Sequence, residues 1–451
     1  MKYQENAAMI FDDSRETVLS NLEQYIRGGC YPFCVKPAYF RELEDFWEPD
    51  RRELERSMAQ KGMSCVALCY NNNVDAGRSG LNRRVHNGEL LRRITMRYGQ
   101  NSTAFMKDVG LDKGNSLTAV MYGTTYNPAI RDMGKNAAGY CMWGEKNVLV
   151  LYAAALSPMS SLHNFYHETA HALQRKLKLG ECEDKVVAML EKRVRNANGT
   201  VQQAARKAFE GEKRYVNYLG EAHAELFGAA MMLLRTRTER EYQSARQFLV
   251  RQAANRMHQG RGKEAADYNY YRPLLKMLEQ FDTLGRRGRA EFGKVNGRFS
   301  LDKVALFTHN IVRENAMSRD EFRVFSTSVE PLEQLQQKQG QPGYGWLGEA
   351  FGSAAVVQMS ADELNLQALG NRLAVAKSQR QIYDAFTEFR DVVPETDRLY
   401  EVYKQHNHQG RLYDKLRKTE EILGVDRLFG KFAEKRRTLG AKIMNRISGG
   451  R

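Results

Sequence analysis

Apolar residues recur at helical spacing twice in the middle of this chain, and short runs dense in β-branched and aromatic residues precede the first of these patterns. Leu162, Phe165, Tyr166, Thr169, Ala170, Leu173 and Leu177 mark one helix. Ser157-Pro158-Met159-Ser160-Ser161 supplies its turn and capping hydroxyl, and Gly180 is its expected stop. A second helical pattern runs from Tyr218 through Met232, with glutamate near its start and an apolar face after it. Upstream, Asn147-Val148-Leu149-Val150-Leu151-Tyr152 reads as a β-strand. Gly139 to Lys146 reads as a strand and a turn, and Leu117 to Tyr122 as an earlier strand. Residues 1–110 read as mainly helical, with turns at Gly28-Gly29 and Asn71-Asn72-Asn73. Residues 111–235 hold the sheet and both central helices, and 236–333 form a charged helical extension punctuated by Gly260, Gly262, Gly285 and Gly288. Gln334 to Gly345 is an expected linker. Residues 346–451 form a basic C-terminal region, with helical periodicity over Ala361 to Arg390 and Asp397 to Arg446. The expected fold class is α+β: mainly helical, with a small sheet.

Chemistry concentrates on the first central helix. His167-Glu168-Thr169-Ala170-His171 is an HExxH motif in a chain with nine histidines. Positions i and i+4 share one helical face, so His167 and His171 can grip one zinc ion, and Glu168 can take a proton from a water on that metal. Thr169 and Ala170 are small where the helix must pack closely. A catalytic zinc takes three protein ligands and leaves one position for water. Glu221, on the second central helix, is the best third ligand. Glu225, one turn later, is either the ligand in its place or an acceptor that orients a histidine. His223 points elsewhere on a helix but is also weighed as a ligand. His163, one turn before His167, reads as a helix-start residue near solvent. Tyr215 and Tyr218 read as core, with donation to an oxyanion as the functional alternative.

This arrangement resembles the zincin metallopeptidases of gluzincin type. The segment Glu221-x-x-Ala224-Glu225-x-Phe227-Gly228, followed by Met231-Met232, is similar to the third-ligand helix of ImmA/IrrE-like peptidases and to the ExxAD segment of HtpX-like peptidases. Zincin-like domains of phage and mobile-element polyvalent proteins are a further resemblance. The resemblance covers roughly Leu117 to Leu234. It implies a zincin-like domain built on the HExxH helix, Zn²⁺ as cofactor, His167, His171 and Glu221 as ligands, Glu168 as general base, and peptide bonds as substrate. The chain differs from ImmA/IrrE-like proteins in having Glu225 where they commonly have asparagine, and in a charged insertion from Glu181 to Arg214. The strand around Val148-Leu149-Val150 is expected to hold an extended protein or peptide substrate by edge pairing.

Composition adds partners and bounds. The 451 residues suffice for two or three domains. No run of eighteen apolar residues exists, so no membrane span is expected. The start Met1-Lys2-Tyr3-Gln4-Glu5-Asn6 lacks an apolar signal region. A cytoplasmic protein is expected, with signal-independent export as an effector the alternative. The six cysteines suit a reducing compartment. Cys30/Cys34 and Cys65/Cys69 form two CxxxC pairs that could bind a structural zinc or be buried small residues. A formal net charge of +15 favours acidic partners such as nucleic acid, although no nucleic-acid-binding signature appears and a solvated basic surface explains the same count. His406-Asn407-His408 reads as a turn rather than a nuclease motif. Three functions follow: a zinc endopeptidase, a nucleic-acid-associated regulatory or mobile-element protein with an inactive or secondary zincin domain, and a helical interaction protein with a chance motif.

Overall fold

The computed structural model describes residues 10–12, 14–27, 40–70, 102–111, 139–153, 157–259 and 269–327, and in the C-terminal part 365–366, 368–370, 372–373, 376 and 379–406. The expected strand at Leu117 to Tyr122, the linker at Gln334 to Gly345, and Cys30, Cys34, Asn407 and His408 lie outside the described residues.

The chain divides into two compact units, one of Met1–Asn21 and Phe33–Leu364, the other of Leu22–Pro32 and Asn365–Arg451. The first helix, α1 (Arg15–Arg27), runs from one into the other. In the first unit follow α2 (Phe40–Ala59), β1 (Ser64–Tyr70), α3 (Ser102–Asp108), β2 (Gly139–Trp143), β3 (Asn147–Ala153), α4 (Pro158–Leu177), α5 (Glu181–Asn196) and α6 (Gly199–Arg235). They are succeeded by α7 (Glu239–Gln259), α8 (Tyr271–Phe292), the short strands β4 (Lys294–Val295) and β5 (Arg298–Phe299), α9 (Leu301–Asn315) and α10 (Arg319–Thr327). The second unit holds α11 (Gln379–Glu388) and α12 (Thr396–His406). There Tyr25 donates to the Leu373 carbonyl at 3.2 Å, and Arg398 pairs with Glu23 at 2.7 Å. The fold is mainly helical with a small sheet, as the periodicity predicts. No described helix is long and apolar enough to cross a membrane.

The sheet order is β1-β3-β2, with β1 parallel and β2 antiparallel to β3. Val148, Leu149 and Val150 therefore sit on the central strand, where both edges are already paired. This corrects the expectation that they hold substrate; among the described residues the strand with an open edge beside the HExxH helix is β2. The parallel β1–β3 ladder also crosses the expected break at residue 110, because a two-stranded hairpin alone is marginal and β1 completes the sheet. Likewise α7, α8 and α9 share one buried core with α4 and α6, so no unit ends at 235.

The β2–β3 turn is held from outside. The Asp108 carboxylate accepts the amides of Glu145 (2.9 Å) and Lys146 (3.1 Å) and the Asn147 side chain (2.8 Å). Gly144 permits this approach, since a Cβ there would lie 2.2 Å from Asp108 Oδ2.

Helix α4 begins as expected: the Ser157 hydroxyl accepts the Ser160 amide at 3.1 Å, with Pro158 in the first turn. It ends at Leu177 with Lys178 left-handed (φ 56°), and Gly180 (φ 83°) instead precedes α5. Three ties fix α4. Trp47 of α2 packs its indole edge-on to Tyr152 of β3 and Phe165 of α4, with centroids 4.2 and 3.9 Å apart. Tyr166 donates to Asp50 of α2 at 2.6 Å, and the same carboxylate holds Arg235 at the end of α6. Lys176 bonds Ser57 at 2.6 Å and pairs with Asp302 of α9.

The charged insertion becomes a helical arm. No residue of α5 is buried, and it packs on the first turns of α6 with Glu181–Lys185 and Glu191–Arg195 pairs along its length. Further along, α6 changes character: Ala222 through Leu233 are all buried. Its small residues let it approach α4 closely. A Cβ on Gly228 would meet His163 Nε2 at 3.0 Å.

Candidate metal centre

That close crossing of α4 and α6 brings together the residues singled out by sequence. His167 and His171 stand one turn apart on α4, and Glu221 faces them from α6. The two Nε2 atoms are 3.2 Å apart, and the Glu221 oxygens lie 3.4 Å from His167 Nε2 and 3.8 Å from His171 Nε2. Four donors at tetrahedral corners around zinc, with bonds of roughly 2.0–2.1 Å, are about 3.3 Å from one another. The three side chains thus have the donor set and spacing to hold a zinc ion, and among the described residues they form the one His/Cys/Asp/Glu group that does.

Glu225 stands behind this group rather than in it. Its Oε1 lies 3.4 Å from His167 Nδ1, the ring nitrogen turned away from Glu221, and its Oε2 lies 3.5 Å from His163 Nε2. Exposure agrees: the side chains of His167, His171 and Glu221 are 14, 24 and 32 % exposed, while Glu225 is 1 % exposed. Glu225 therefore has the place of the acceptor that orients His167, and Glu221 the place of the ligand. Burial alone would lower the pKa of His167, but Glu225 and Glu221 outweigh it and hold it well above the usual value. The pocket favours positive charge. Burial pushes Glu221 up, but the hydrogen bond from His167 and the neighbouring histidines bring its pKa below the usual carboxylate value.

Glu168 lies against the start of β2. A Cβ on Gly139 would come within 2.4 Å of Glu168 Cγ and 2.7 Å of Oε1. Burial raises the Glu168 pKa against the lowering effect of His167 and His171, which makes its carboxylate a better proton acceptor near neutrality.

Among the other residues, His163 takes a different place from that expected, whereas His223, Tyr215 and Tyr218 lie as the helical pattern predicts. His163 is fully buried, not near solvent, because Gly228 lets α6 close over it, and its Nε2 lies 3.2 Å from the Glu225 carbonyl. His223 turns away from the centre and donates through Nε2 to the Ala305 carbonyl of α9 at 2.9 Å. Burial drops its pKa to about 3, so it is neutral. Tyr215 donates to the Met317 carbonyl and Tyr218 accepts the Met317 amide, both at 2.9 Å, beside Phe322. Both tyrosines are core residues that anchor the segment before α10. Cys65 is buried in β1. His406 ends α12, with Nδ1 2.9 Å from the Val402 carbonyl.

Two site residues escape a reading of the sequence. Gln174 follows His171 by three positions, hence on one helical face, and places Oε1 3.0 Å from His171 Nδ1. That spacing was its only signal. Gly139 carried none, because its contact with Glu168 is made across the sheet. Comparison of the chain with protein-family models, with curated proteins and with solved structures gives no match.

Proposed function

We propose that this protein is a zinc-dependent metallopeptidase that cleaves peptide bonds by hydrolysis. The observation that carries this reading is the convergence of His167 Nε2, His171 Nε2 and a Glu221 carboxylate at zinc-like spacing, with Glu168 next to the first ligand. A chance HExxH on an exposed amphipathic helix has no reason to meet a carboxylate from another helix at that distance.

Zinc, when bound, supplies a Lewis acid that makes water a nucleophile near neutral pH. The remaining steps belong to the chain. His167, His171 and Glu221 would hold the ion. Glu168 removes the proton of the attacking water as its oxygen bonds to the scissile carbonyl carbon, then returns that proton to the departing amine nitrogen as the C–N bond breaks.

Substrate presentation falls to β2. The Gly144 amide donates to the Asn147 carbonyl at 2.8 Å, which makes this pair a hydrogen-bonded one. In an antiparallel ladder such pairs alternate with outward-facing ones. With Trp143 opposite Val148, the main-chain groups of Gly139, Cys141 and Trp143 therefore point to the open edge. An extended peptide added there passes Glu168 at Gly139.

The test combines metal analysis, circular dichroism and turnover of a peptide library for the wild type and Glu168→Gln. The expected result is one zinc per chain in both, an unchanged fold, and hydrolysis reduced by several orders of magnitude in the variant. A zinc-loaded and fully active Glu168→Gln protein would sink the mechanism. A second reading, nucleic-acid association, has the net charge of +15 behind it.

A further inference from the structure

We infer that Gln174 and His223 are positioning residues that set the tautomer of His171, so that its Nε2 lone pair is offered to the metal. The inference rests on the metal-site reading above and adds to it a chain of hydrogen bonds with one allowed direction.

The direction follows from two backbone carbonyls, which only accept. His223 Nε2 lies 2.9 Å from the Ala305 carbonyl and must carry its proton there. Its Nδ1 faces the Gln174 amide nitrogen, which the Gly220 carbonyl fixes in place and which only donates, so Nδ1 accepts through its lone pair. Gln174 Nε2 lies 2.8 Å from that Nδ1 and 2.6 Å from the Gly220 carbonyl. Both contacts require N–H donors, and the amide nitrogen has two hydrogens to give. A flipped amide would set its oxygen against the Gly220 oxygen and the His223 lone pair, so the orientation is determined. The Gln174 oxygen is left facing His171 Nδ1 at 3.0 Å, where it accepts. His171 therefore carries its proton on Nδ1, and Nε2, 3.8 Å from Glu221, is bare.

The arrangement differs from the support of His167, whose Nδ1 faces the carboxylate of Glu225 directly. His171 instead receives its orientation through the Gln174 amide and a second imidazole, His223 of α6, which is anchored to the Ala305 carbonyl of α9, a helix that contributes no ligand. Groups that support metal-bound histidines in this way are typically worth roughly 10–100-fold in metal affinity.

The experiment uses the full chain labelled with ¹⁵N-histidine. Long-range ¹H–¹⁵N spectra of the metal-free protein report each tautomer, and a competing chelator reports zinc affinity. His171 is expected as the Nδ1–H tautomer and His223 as the Nε2–H tautomer in the wild type. Gln174→Leu should mix the His171 tautomers and weaken zinc binding by roughly 10–100-fold. Gln174→Glu keeps an acceptor for His171 and loses both donors. It should preserve the His171 tautomer and keep zinc affinity within a few-fold of wild type, while the His223 signals shift. An Nε2–H tautomer at His171 in the wild type, or unchanged zinc affinity in Gln174→Leu, overturns the inference. If the wild type binds no zinc, the metal reading fails while the tautomers still decide the relay. If Gln174→Leu does not fold, the wild-type and Gln174→Glu spectra decide it.

Discussion

Gly139 and Glu168 are in direct contact, and the contact leaves no room for a Cβ: one built on Gly139 would stand 2.4 Å from the Glu168 Cγ. Glu168 is buried and cannot simply swing into solvent. Gly139→Ala should therefore displace the carboxylate while leaving the three ligands in place. The expected outcome is full zinc content with peptide hydrolysis down roughly 10²-fold, the usual effect of misplacing a reacting group by about an ångström. Zinc stoichiometry and kcat, measured on the same sample, check it; unchanged kcat refutes it.

Ligand removal separates Glu221 from Glu225. His167→Ala, His171→Ala and Glu221→Ala should each empty the centre at micromolar zinc. Glu225→Ala should weaken binding by about 10–100-fold without abolishing it, because it removes the partner of His167 Nδ1 and not a ligand. Chelator competition gives the affinities. An empty site in Glu225→Ala beside a loaded one in Glu221→Ala would reverse the assignment.

The ion-pair site that ties α2, α4 and α6 makes a stability prediction. The Asp50 carboxylate is 2 % exposed and satisfies both Arg235 and Tyr166. Asp50→Ala leaves the guanidinium, packed 3.8 Å from the Phe299 ring centroid, without its counter-ion. A loss of about 3–5 kcal/mol is expected. Tyr166→Phe removes one hydrogen bond from a carboxylate and should cost about 1.5–3 kcal/mol. Urea unfolding followed by tryptophan fluorescence distinguishes the two; equal losses would refute this apportionment.

Acid should loosen the β2–β3 turn. The slight burial of Asp108 pushes its pKa up, but the amides of Glu145 and Lys146 and the Asn147 side chain outweigh that and lower it from its ordinary value of 3.8. A lowered folded-state pKa means that the stabilisation is present above the unfolded-state value and is lost as pH falls through the folded one. Hydrogen exchange at the Glu145 and Lys146 amides, corrected for intrinsic rate, should show protection that persists at pH 5 and fades below pH 3.8. In Asp108→Ala the protection should be weak throughout. Protection that is flat with pH in the wild type would refute the assignment.

The surplus of basic residues gives a prediction for the second reading. If the surface meets nucleic acid, affinity for a DNA or RNA duplex should fall linearly on a logarithmic salt scale, as counterions return to the phosphates. Absence of binding at low salt leaves the charge as a property of the solvated surface.

What the sequence determined about this protein is local. The 3.6-residue period, Ser157 at the cap and the i, i+4 spacing of His167 and His171 settle the HExxH helix and the common face of its two histidines, since one helix obeys one geometry whatever packs on it. The dense β-branched run at Asn147 to Tyr152 settles a strand in the same way. Everything that depends on a neighbour distant in the chain was decided by the tertiary structure. Val148 to Val150 proved to be the centre of the sheet and not its edge, because strand order is set by pairing across long loops. Glu221 came to face His167 and His171, and Glu225 to stand behind them against His167 Nδ1, through the angle at which α6 crosses α4, and sequence spacing does not specify a crossing angle. His163 went into the core because Gly228 lets the two helices touch. The hydrogen bond from His223 to Ala305 needed α9, more than eighty residues further on. Such contacts form only when several elements bury their apolar faces together, so no local pattern carries their signature.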